Sequence, residues 1–185
     1  MKKLILISGK AGCGKNQFAD YIKEYLESQN QRVVITAFAR HIKSLCKEYL
    51  GWNGEKTDYW RSVLQRIGTD VIRNEMRDVN FHVNRMCKDI LILFDEFDYF
   101  IVPDTRFPNE CELPKSNFGS NKVIDVRLVR PNYESNLTFE QQQHESETAL
   151  DDYKFSYTVI NYGDLVDLKK VAIEFCDRVL GGKRE

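Results

Sequence analysis

The sequence lacks any apolar stretch of the length needed to cross a membrane. Its apolar N-terminal run, residues 4–7, is only four residues long, whereas a membrane-spanning helix needs about 20 such residues and a signal peptide about 7–15. The run consists of Leu and Ile, which suit a buried strand. We therefore expect a soluble, cytoplasmic protein with no membrane partner.

An excess of either charge is also missing. The chain has 27 Lys and Arg against 28 Asp and Glu, a formal net charge of -1. Proteins that bind nucleic acid through its phosphates usually have a strong basic excess. We therefore expect no nucleic-acid partner, and an anionic substrate would have to meet cations that are placed locally.

Paired cysteine motifs are absent as well. The five cysteines are odd in number, widely spaced and never arranged as C-x-x-C, which argues against a zinc site and a disulfide framework. We expect buried thiols in a reducing compartment. At 185 residues the chain has the length of a single domain with a substantial core.

What the sequence does contain is a strand, a glycine-rich turn and a helix at its N-terminus. Residues 9–16, GKAGCGKN, match the P-loop pattern G-x-x-x-x-G-K-[ST] at Gly9, Gly14 and Lys15 and depart from it at Asn16. Backbone N–H groups and the positive end of the helix attract phosphate in such a turn. The motif predicts a nucleoside triphosphate site; the alternative is a plain β–α turn with an incidental lysine.

The rest of the chain alternates between predicted strands and helices. Strands are predicted at residues 4–7, 32–38, 99–102, 122–129 and 157–160, and helices at 39–50, 60–78, 81–97 and 165–180, with residues 91–94 open to either reading. This alternation predicts an α/β protein with the three-layer P-loop NTPase fold, a mainly parallel five-stranded sheet with helices on both faces. Residues 132–148 are polar and predicted to be a loop.

Polar residues follow two of the predicted strands. Asp104 and Arg106 come just after residues 99–102, and Arg40 and Lys43 come after the second strand. Ligands bind at the carboxyl edge of open α/β sheets. Asp104 there is typical of a residue that holds Mg²⁺, and Arg106 of a second phosphate clamp. Arg40 and Lys43 are equally consistent with solvated surface cations.

The predicted helix 60–78 has a polar ridge beside its apolar stripe. Gln65, Thr69 and Arg73 follow one another at intervals of four residues, so they project from one side. Such a ridge suits a base edge and a phosphate, although it is also what a solvated helix face looks like. Gly68 in mid-helix costs about 1 kcal/mol relative to Ala, which indicates close approach by a neighbouring group.

Several segments together resemble one family over nearly the whole chain. In order they are SGKAGCGKNQFAD, FARHIKSLCKEYLG, LQRIGTDVIR, PDTRFPNE, VRLVRP and HESETALDDYKFSYTVINYGDL. They resemble the phage-type deoxynucleoside monophosphate kinases, which are P-loop enzymes. The resemblance implies transfer of the ATP γ-phosphoryl group to a (deoxy)nucleoside 5′-monophosphate. It also implies one domain, 1–185, with an acceptor-binding helical region at about 39–97 and a lid at about 131–148.

The resemblance assigns roles to individual residues. The catalytic set is Lys15, Asp104, Arg106 and Arg130, the last closing over the transferring group. The residues that would bind ATP are Gly9, Lys10, Ala11, Gly12, Cys13, Gly14, Lys15, Asn16, Gln17 and Asn161. Those facing the acceptor would be Arg40, Lys43, Gln65, Thr69, Arg73, Arg106 and His144. Mg²⁺ would lie near Asn16 and Asp104, although an amide is a weaker ligand than a carboxylate.

Other readings stay open at this level. A P-loop kinase with another acceptor, similar to dephospho-coenzyme A kinase or phosphomevalonate kinase, would suit the same layout. A nucleotide-binding regulatory module and a P-loop protein inactivated at Asn16 are further alternatives. The base, the sugar and the oligomeric state, a homodimer included, are not determined by the sequence.

Overall fold

The computed structural model describes residues 1–55, 57–131, 133, 135 and 137–181 of the chain. Its five strands are β1 (Lys3–Ser8), β2 (Val33–Ile35), β3 (Tyr99–Thr105), β4 (Val123–Val129) and β5 (Tyr157–Ile160). They form one sheet in the order β2-β3-β1-β4-β5, and every pairing is parallel. This confirms the predicted fold class.

Helices connect the strands and cover both faces of the sheet. They are α1 (Lys15–Ser28), α2 (Arg40–Leu50), α3 (Asp58–Gln65), α4 (Phe81–Ile92), α5 (Pro108–Phe118), α6 (Phe139–Gln143), α7 (Glu145–Thr148) and α8 (Leu165–Phe175). Two of them continue as π-helix, α3 through Arg66–Glu75 and α8 through Cys176–Leu180. Within the described part of the chain, no helix is both long and apolar enough to span a membrane.

Successive side chains of β1 point to opposite faces of the sheet, and both faces are buried. Ile5 and Ile7 pack with α1 and α8 on one face, whereas Leu4 and Leu6 pack with α4 on the other. All four side chains are 0% exposed. A continuous apolar strand is what a central parallel position requires.

The strand order places a crevice above the centre of the sheet. The chain leaves β1 toward β2 on one side, returns through β3 and then crosses to β4 on the other side. Ligands bind at such a reversal, outside the carboxyl ends of the strands. The turn after β1 leads to Lys15, the first residue of α1. Asp104 lies near the end of β3 and Arg106 directly follows that strand, so the fold brings the two strongest sequence motifs to one edge.

A separate small core holds the helices beside this edge. It consists of Ile42, Cys46, Trp52, Val63 and Ile72, which join α2 to α3 and its π-helical continuation. These residues lie within the region 39–97.

Several details differ from the prediction. Three large side chains of the predicted helices are not buried: Tyr49, Met76 and Leu165 are 71%, 64% and 59% exposed. Tyr49 lies in the last turn of α2, beyond Ile42 and Cys46, the buried residues of that helix. Met76 follows the π-helix, in which i→i+5 bonding widens the turn and rotates later residues away from an α-helical stripe.

The second strand and the lid segment also differ. β2 is three residues long rather than seven, and residues 91–94 end a helix instead of forming a strand, with Ile92 78% exposed. The segment predicted as a loop contains α6 and α7; its residues 132, 134 and 136 lie outside the described residues. All five cysteines are buried free thiols, as expected.

Candidate active site

The P-loop turns sharply between β1 and α1. Gly12 and Gly14 have φ values of 77° and 100°, which favour glycine, and Gly14 is the N-cap of α1. The ring of Tyr133 fills the space that a Cβ at Gly12 would need. The first N–H groups of a helix have no intrahelical acceptor, so the start of α1 is suited to bind an anion.

Lys15 folds back over this loop. Its Nζ donates to the carbonyl oxygens of Gly9 at 2.6 Å and Lys10 at 2.8 Å. Burial lowers the pKa of Lys15, and the nearby cation Arg106 acts in the same direction, whereas Glu147 opposes it. A partly desolvated ammonium group beside a helix N-terminus interacts strongly with an incoming phosphate.

Two cavities meet at the P-loop. The first, of about 630 Å³, extends toward α2 and α3 and is called the aromatic cavity because Trp52, Trp60 and Phe107 line it. The second, of about 880 Å³, runs past the end of β4 and is called the basic cavity because its lining includes Lys10, Arg127 and Arg130. Both cavities are lined by Ala11, Leu137 and Glu147, so ligands bound in the two would lie close together.

Most predicted site residues line one of the two cavities. The aromatic cavity contains Gly12, Gly14, Lys15, Asn16, Gln17, Lys43, Gln65, Thr69, Arg73, Asp104 and Arg106, with Ala11 shared. The basic cavity contains Lys10, Cys13 and Arg130. The polar ridge of helix 60–78 therefore faces a cavity rather than solvent.

Four predicted residues line neither cavity. Gly9 lies at the base of the loop, where the Leu128 carbonyl and the Cys13 thiol would obstruct a Cβ. Asn161 is 3% exposed, and its backbone N–H donates to Val129. Arg40 is exposed at the start of α2.

The fourth of these residues, His144, has a structural contact instead. It is the N-cap of α7, and its Nδ1 accepts from the Ser146 backbone N–H at 3.2 Å. Its Nε2 lies 3.7 Å from the Asp70 carboxylate. His144 therefore shapes the segment around α7 and links it to the π-helix.

Asp104 supports the turn before α2. Its Oδ1 accepts the backbone N–H of Phe38 at 2.9 Å and its Oδ2 that of Ala39 at 3.1 Å. Lys43 Nζ lies 4.0 Å away. Each carboxylate oxygen keeps a further lone pair beyond its backbone donor.

The side chains of Asp104 and Asn16 fit a hydrated Mg²⁺ ion that would be held mainly by substrate phosphates. Among the described residues, no three His, Cys, Asp or Glu side chains are grouped to hold a metal ion. Mg²⁺ in kinase sites retains waters and takes one or two carboxylates besides phosphate oxygens. Asp104 and the exposed amide of Asn16 line the same cavity and are suited to accept hydrogen bonds from metal-bound waters.

Arg73 and Glu110 form a buried ion pair in the wall of the aromatic cavity. Arg73 Nη2 lies 2.5 Å from Glu110 Oε1, and their side chains are 5% and 4% exposed. Arg73 Nη1 donates to the Val79 carbonyl at 2.8 Å, and its guanidinium stacks on Phe107 at 3.7 Å. The guanidinium that the sequence assigned to the acceptor is thus already held by the protein.

His82 packs against the glycine of the π-helix. Its Nε2 lies 3.0 Å from the Gly68 carbonyl oxygen, so Nε2 carries the proton. A Cβ at Gly68 would approach Ile42 Cδ1 to 3.0 Å, which confirms the close approach expected there. Burial lowers the pKa of His82, and nearby Arg73 lowers it further.

The basic cavity is bordered by ion pairs. Lys10 Nζ lies 2.6 Å from Asp151, and Arg127 donates to the same carboxylate at 3.2 Å. The guanidinium of Arg130 lies 4.7 Å from the centre of the Tyr133 ring. Arg130 therefore lies beside the P-loop and away from the aromatic cavity.

Sequence reasoning did not single out the aromatic wall. Trp52 and Trp60 lie on either side of a helix break, with ring centroids 6.0 Å apart, and no periodic pattern joins them. Glu110 and Glu147 stood in recognisable motifs, PDTRFPNE and HESE, but without a role. Only the fold brings them beside Arg73 and Arg106.

The arrangement defines the chain as a protein with the three-layer P-loop NTPase fold. It superposes on dephospho-CoA kinase from Campylobacter jejuni with a TM-score of 0.53 at 15% identity, over 97% of this chain and 98% of that one. APS kinase from Mycobacterium tuberculosis, in complex with AMPPNP and APS, gives 0.51 at 11% identity, over 95% and 97%. These likenesses show the fold alone.

Two characterised proteins are similar in sequence. Phosphomevalonate kinase of Drosophila melanogaster is 26% identical over 174 residues, 89% of each chain. Deoxynucleotide monophosphate kinase of Enterobacteria phage T4 is 32% identical over 114 residues, 60% of this chain but 43% of the phage enzyme. The match thus spans less than half of the phage relative's length. No family profile matches the chain.

Proposed function

We propose that the protein transfers the γ-phosphoryl group of ATP to the 5′-phosphate of a (deoxy)nucleoside monophosphate. The observation that carries this proposal is the junction of the two cavities at the P-loop. A kinase needs a donor site and an acceptor site that bring two phosphates into line. In this proposal the region 39–97 binds the acceptor and the segment 131–148 is a lid.

The donor phosphates would bind on the P-loop. The N-terminus of α1 and the Lys15 ammonium group offer positive charge there, and the basic cavity adds Lys10 and Arg130. AMPPNP in the complex of the structurally similar APS kinase is an ATP analogue, which supports ATP as the donor.

The lining of the aromatic cavity favours a planar base in the acceptor. Trp60, whose side chain is partly exposed, provides a stacking surface backed by the buried rings of Trp52 and Phe107. Gln65 and Thr69 provide an amide and a hydroxyl. Stacking of one base on an aromatic side chain contributes about 1–3 kcal/mol. Thr69 is 4% exposed, so it is positioned by packing before a ligand arrives.

The chemistry in this proposal is positioning and charge neutralisation. Bound Mg²⁺ would neutralise part of the charge on the β- and γ-phosphates. Lys15 holds the donor phosphates, and Arg106, whose side chain is 37% exposed, holds the acceptor phosphate. Arg73 is committed to Glu110, so its role is to build the wall behind Arg106. Arg130 closes from the basic cavity and excludes water.

A second candidate acceptor is phosphomevalonate. The similarity to the Drosophila enzyme extends over 89% of both chains, more than the similarity to the phage enzyme. Phosphomevalonate has a carboxylate and an aliphatic chain but no ring, so it would not stack on the partly exposed Trp60. The wall therefore favours the nucleotide.

A panel of acceptors separates these candidates. ADP release is measured with ATP, Mg²⁺ and each common NMP and dNMP, and in parallel with phosphomevalonate and dephospho-CoA. We expect turnover with one or more nucleoside monophosphates and little with the other two acceptors. ADP release that needs no acceptor would favour a nucleotide-driven regulatory module instead.

A further inference from the structure

Glu147 lies at the junction of the two cavities, where the phosphoryl group would be transferred. It is one of three residues that line both cavities, and its side chain is only 6% exposed. A carboxylate repels phosphate, so its burial at this position requires an explanation.

The contact of Glu147 is with Arg106. Arg106 Nη1 donates to the Glu147 carboxylate and, at 3.0 Å, to the backbone carbonyl of Ser146. Both N–H groups of Nη1 are therefore engaged by consecutive residues of α7. Two acceptors on one nitrogen fix the plane of the guanidinium as well as its position.

The remainder of the Arg106 guanidinium stays available. Its Nε and Nη2 carry three further N–H groups, and within the described ranges none donates to a protein acceptor. Arg106 lines the aromatic cavity and is 37% exposed. The engaged side of the fork thus orients the side that can meet a phosphate.

Glu147 is itself held from the P-loop. Its backbone carbonyl accepts from Lys10 Nζ at 2.7 Å, and Lys10 also pairs with Asp151. The carboxylate favours the charged form of Lys15, whereas Arg106 opposes it. Glu147 therefore offsets the repulsion between two cations that phosphoryl transfer needs close together.

We propose that Glu147 is a positioning residue that fixes the guanidinium of Arg106 toward the transferring phosphoryl group. This inference rests on the proposed function for its role in transfer. The fixation of Arg106 is a separate property of the fold that is measurable without any acceptor.

Kinetics test the role in transfer. With an acceptor found in the panel, Glu147→Gln should lower kcat by about 10- to 100-fold, as loss of an orienting partner does at metal ligands, while the acceptor KM changes less. In an Arg106→Ala background the same substitution should cause no further loss, because Glu147 acts through Arg106. Glu174→Gln on α8, an exposed carboxylate outside both cavities, is the matched control and should keep wild-type rates.

Side-chain ¹⁵N NMR tests the fixation itself. In the wild type, rotation of the Arg106 guanidinium should be slow enough to give separate Nη signals, and in Glu147→Gln these signals should merge. Arg106→Lys identifies the resonances. If Glu147→Gln melts well below the wild type, Glu147→Asp is used in its place. This variant keeps the charge but shortens the side chain, so it should also free Arg106.

The outcomes are distinct. Wild-type kcat in a folded Glu147 variant, losses that add fully to those of Arg106→Ala, or unchanged Arg106 signals would overturn the proposal. If the wild type phosphorylates no acceptor, the proposed function fails, and the NMR comparison still decides whether Glu147 fixes Arg106.

Discussion

The carboxylate of Glu110 lies 2.5 Å from the guanidinium of Arg73 and also accepts two backbone N–H groups. Those donors are Arg106 at 2.7 Å and Phe107 at 3.1 Å, both on Oε2. One buried side chain therefore ties the π-helix to the start of α5 and positions the backbone of Arg106. Glu110 therefore contributes both to the stability of the protein and to the geometry of the candidate site.

Loss of the Glu110 carboxylate should destabilise the fold strongly. Glu110→Ala leaves Arg73 buried without its partner, which typically costs about 3–5 kcal/mol. The free energy of unfolding, measured by denaturant titration, reports this loss. Glu27→Ala, in the exposed pair with Lys23, is the control and should cost at most about 1 kcal/mol. Equal losses for the two variants would mean that the buried pair contributes no special stability.

Replacement of Lys15 should abolish phosphoryl transfer and leave the fold intact. Lys15→Met removes the ammonium group that we propose binds the donor phosphates but keeps the volume of the side chain, and its two contacts to loop carbonyls are local. ADP release and the melting temperature are measured together. Lys23→Met, at a partly exposed position of the same helix, should retain activity. A Lys15 variant with most of its activity would refute the P-loop assignment.

His82 should make the protein less stable as the pH falls. Its pKa is lowered in the fold by burial and by Arg73, so below about pH 6.5 the unfolded chain takes up a proton that the folded chain does not. This contribution to stability is present above pH 6.5 and is lost by up to about 1.4 kcal/mol per pH unit below it.

A comparison with His82→Gln isolates this effect. Burial raises the pKa of Glu110 to about 7, which acts in the opposite sense by adding stability as the pH falls from 7 toward 4.5. Both proteins share that contribution, and Gln can still donate to the Gly68 carbonyl. The difference in unfolding free energy between wild type and variant should shrink or reverse from pH 7 to pH 5. A difference independent of pH would show that His82 is not held neutral.

Trp60 should contribute to binding of the acceptor base. Trp60→Ala removes one stacking surface from the aromatic cavity, and a loss of about 1–3 kcal/mol corresponds to a rise in acceptor KM of roughly 5- to 150-fold. The KM for ATP should stay near the wild-type value. Tyr49→Ala, an aromatic position that is 71% exposed, is the control. Parallel changes in both KM values would indicate a general disturbance of the site instead.

The architecture was accessible from the sequence because its signals are local. Apolar runs bounded by turn residues mark the strands, and β5 has the predicted bounds, Tyr157–Ile160. The glycine-rich turn after β1 and Asp104 near the end of β3 were likewise recognisable from a few adjacent residues. The carboxyl ends of parallel strands share one edge, so these motifs could be placed together before the structure was known.

The pairings within the site were not accessible, because they depend on contacts between distant residues. Arg73 and Glu110 are 37 positions apart, and nothing in either segment indicates that one neutralises the other. The π-helix was missed since apolar spacing does not distinguish i→i+5 from i→i+4 bonding. The predicted roles of the site residues, including those of Arg40, His144 and Asn161, stay predictions.

The most direct test of the proposed function is identification of the product. Purified protein is incubated with ATP, Mg²⁺ and an equimolar mixture of the common nucleoside monophosphates, ribo- and deoxyribo-, together with phosphomevalonate and dephospho-CoA. ³¹P NMR and mass spectrometry then identify the phosphorylated acceptor, with Lys15→Met as the blank. We predict a nucleoside diphosphate that is absent from the blank. Diphosphomevalonate or coenzyme A as the main product, or ADP with no phosphorylated acceptor, would contradict the account.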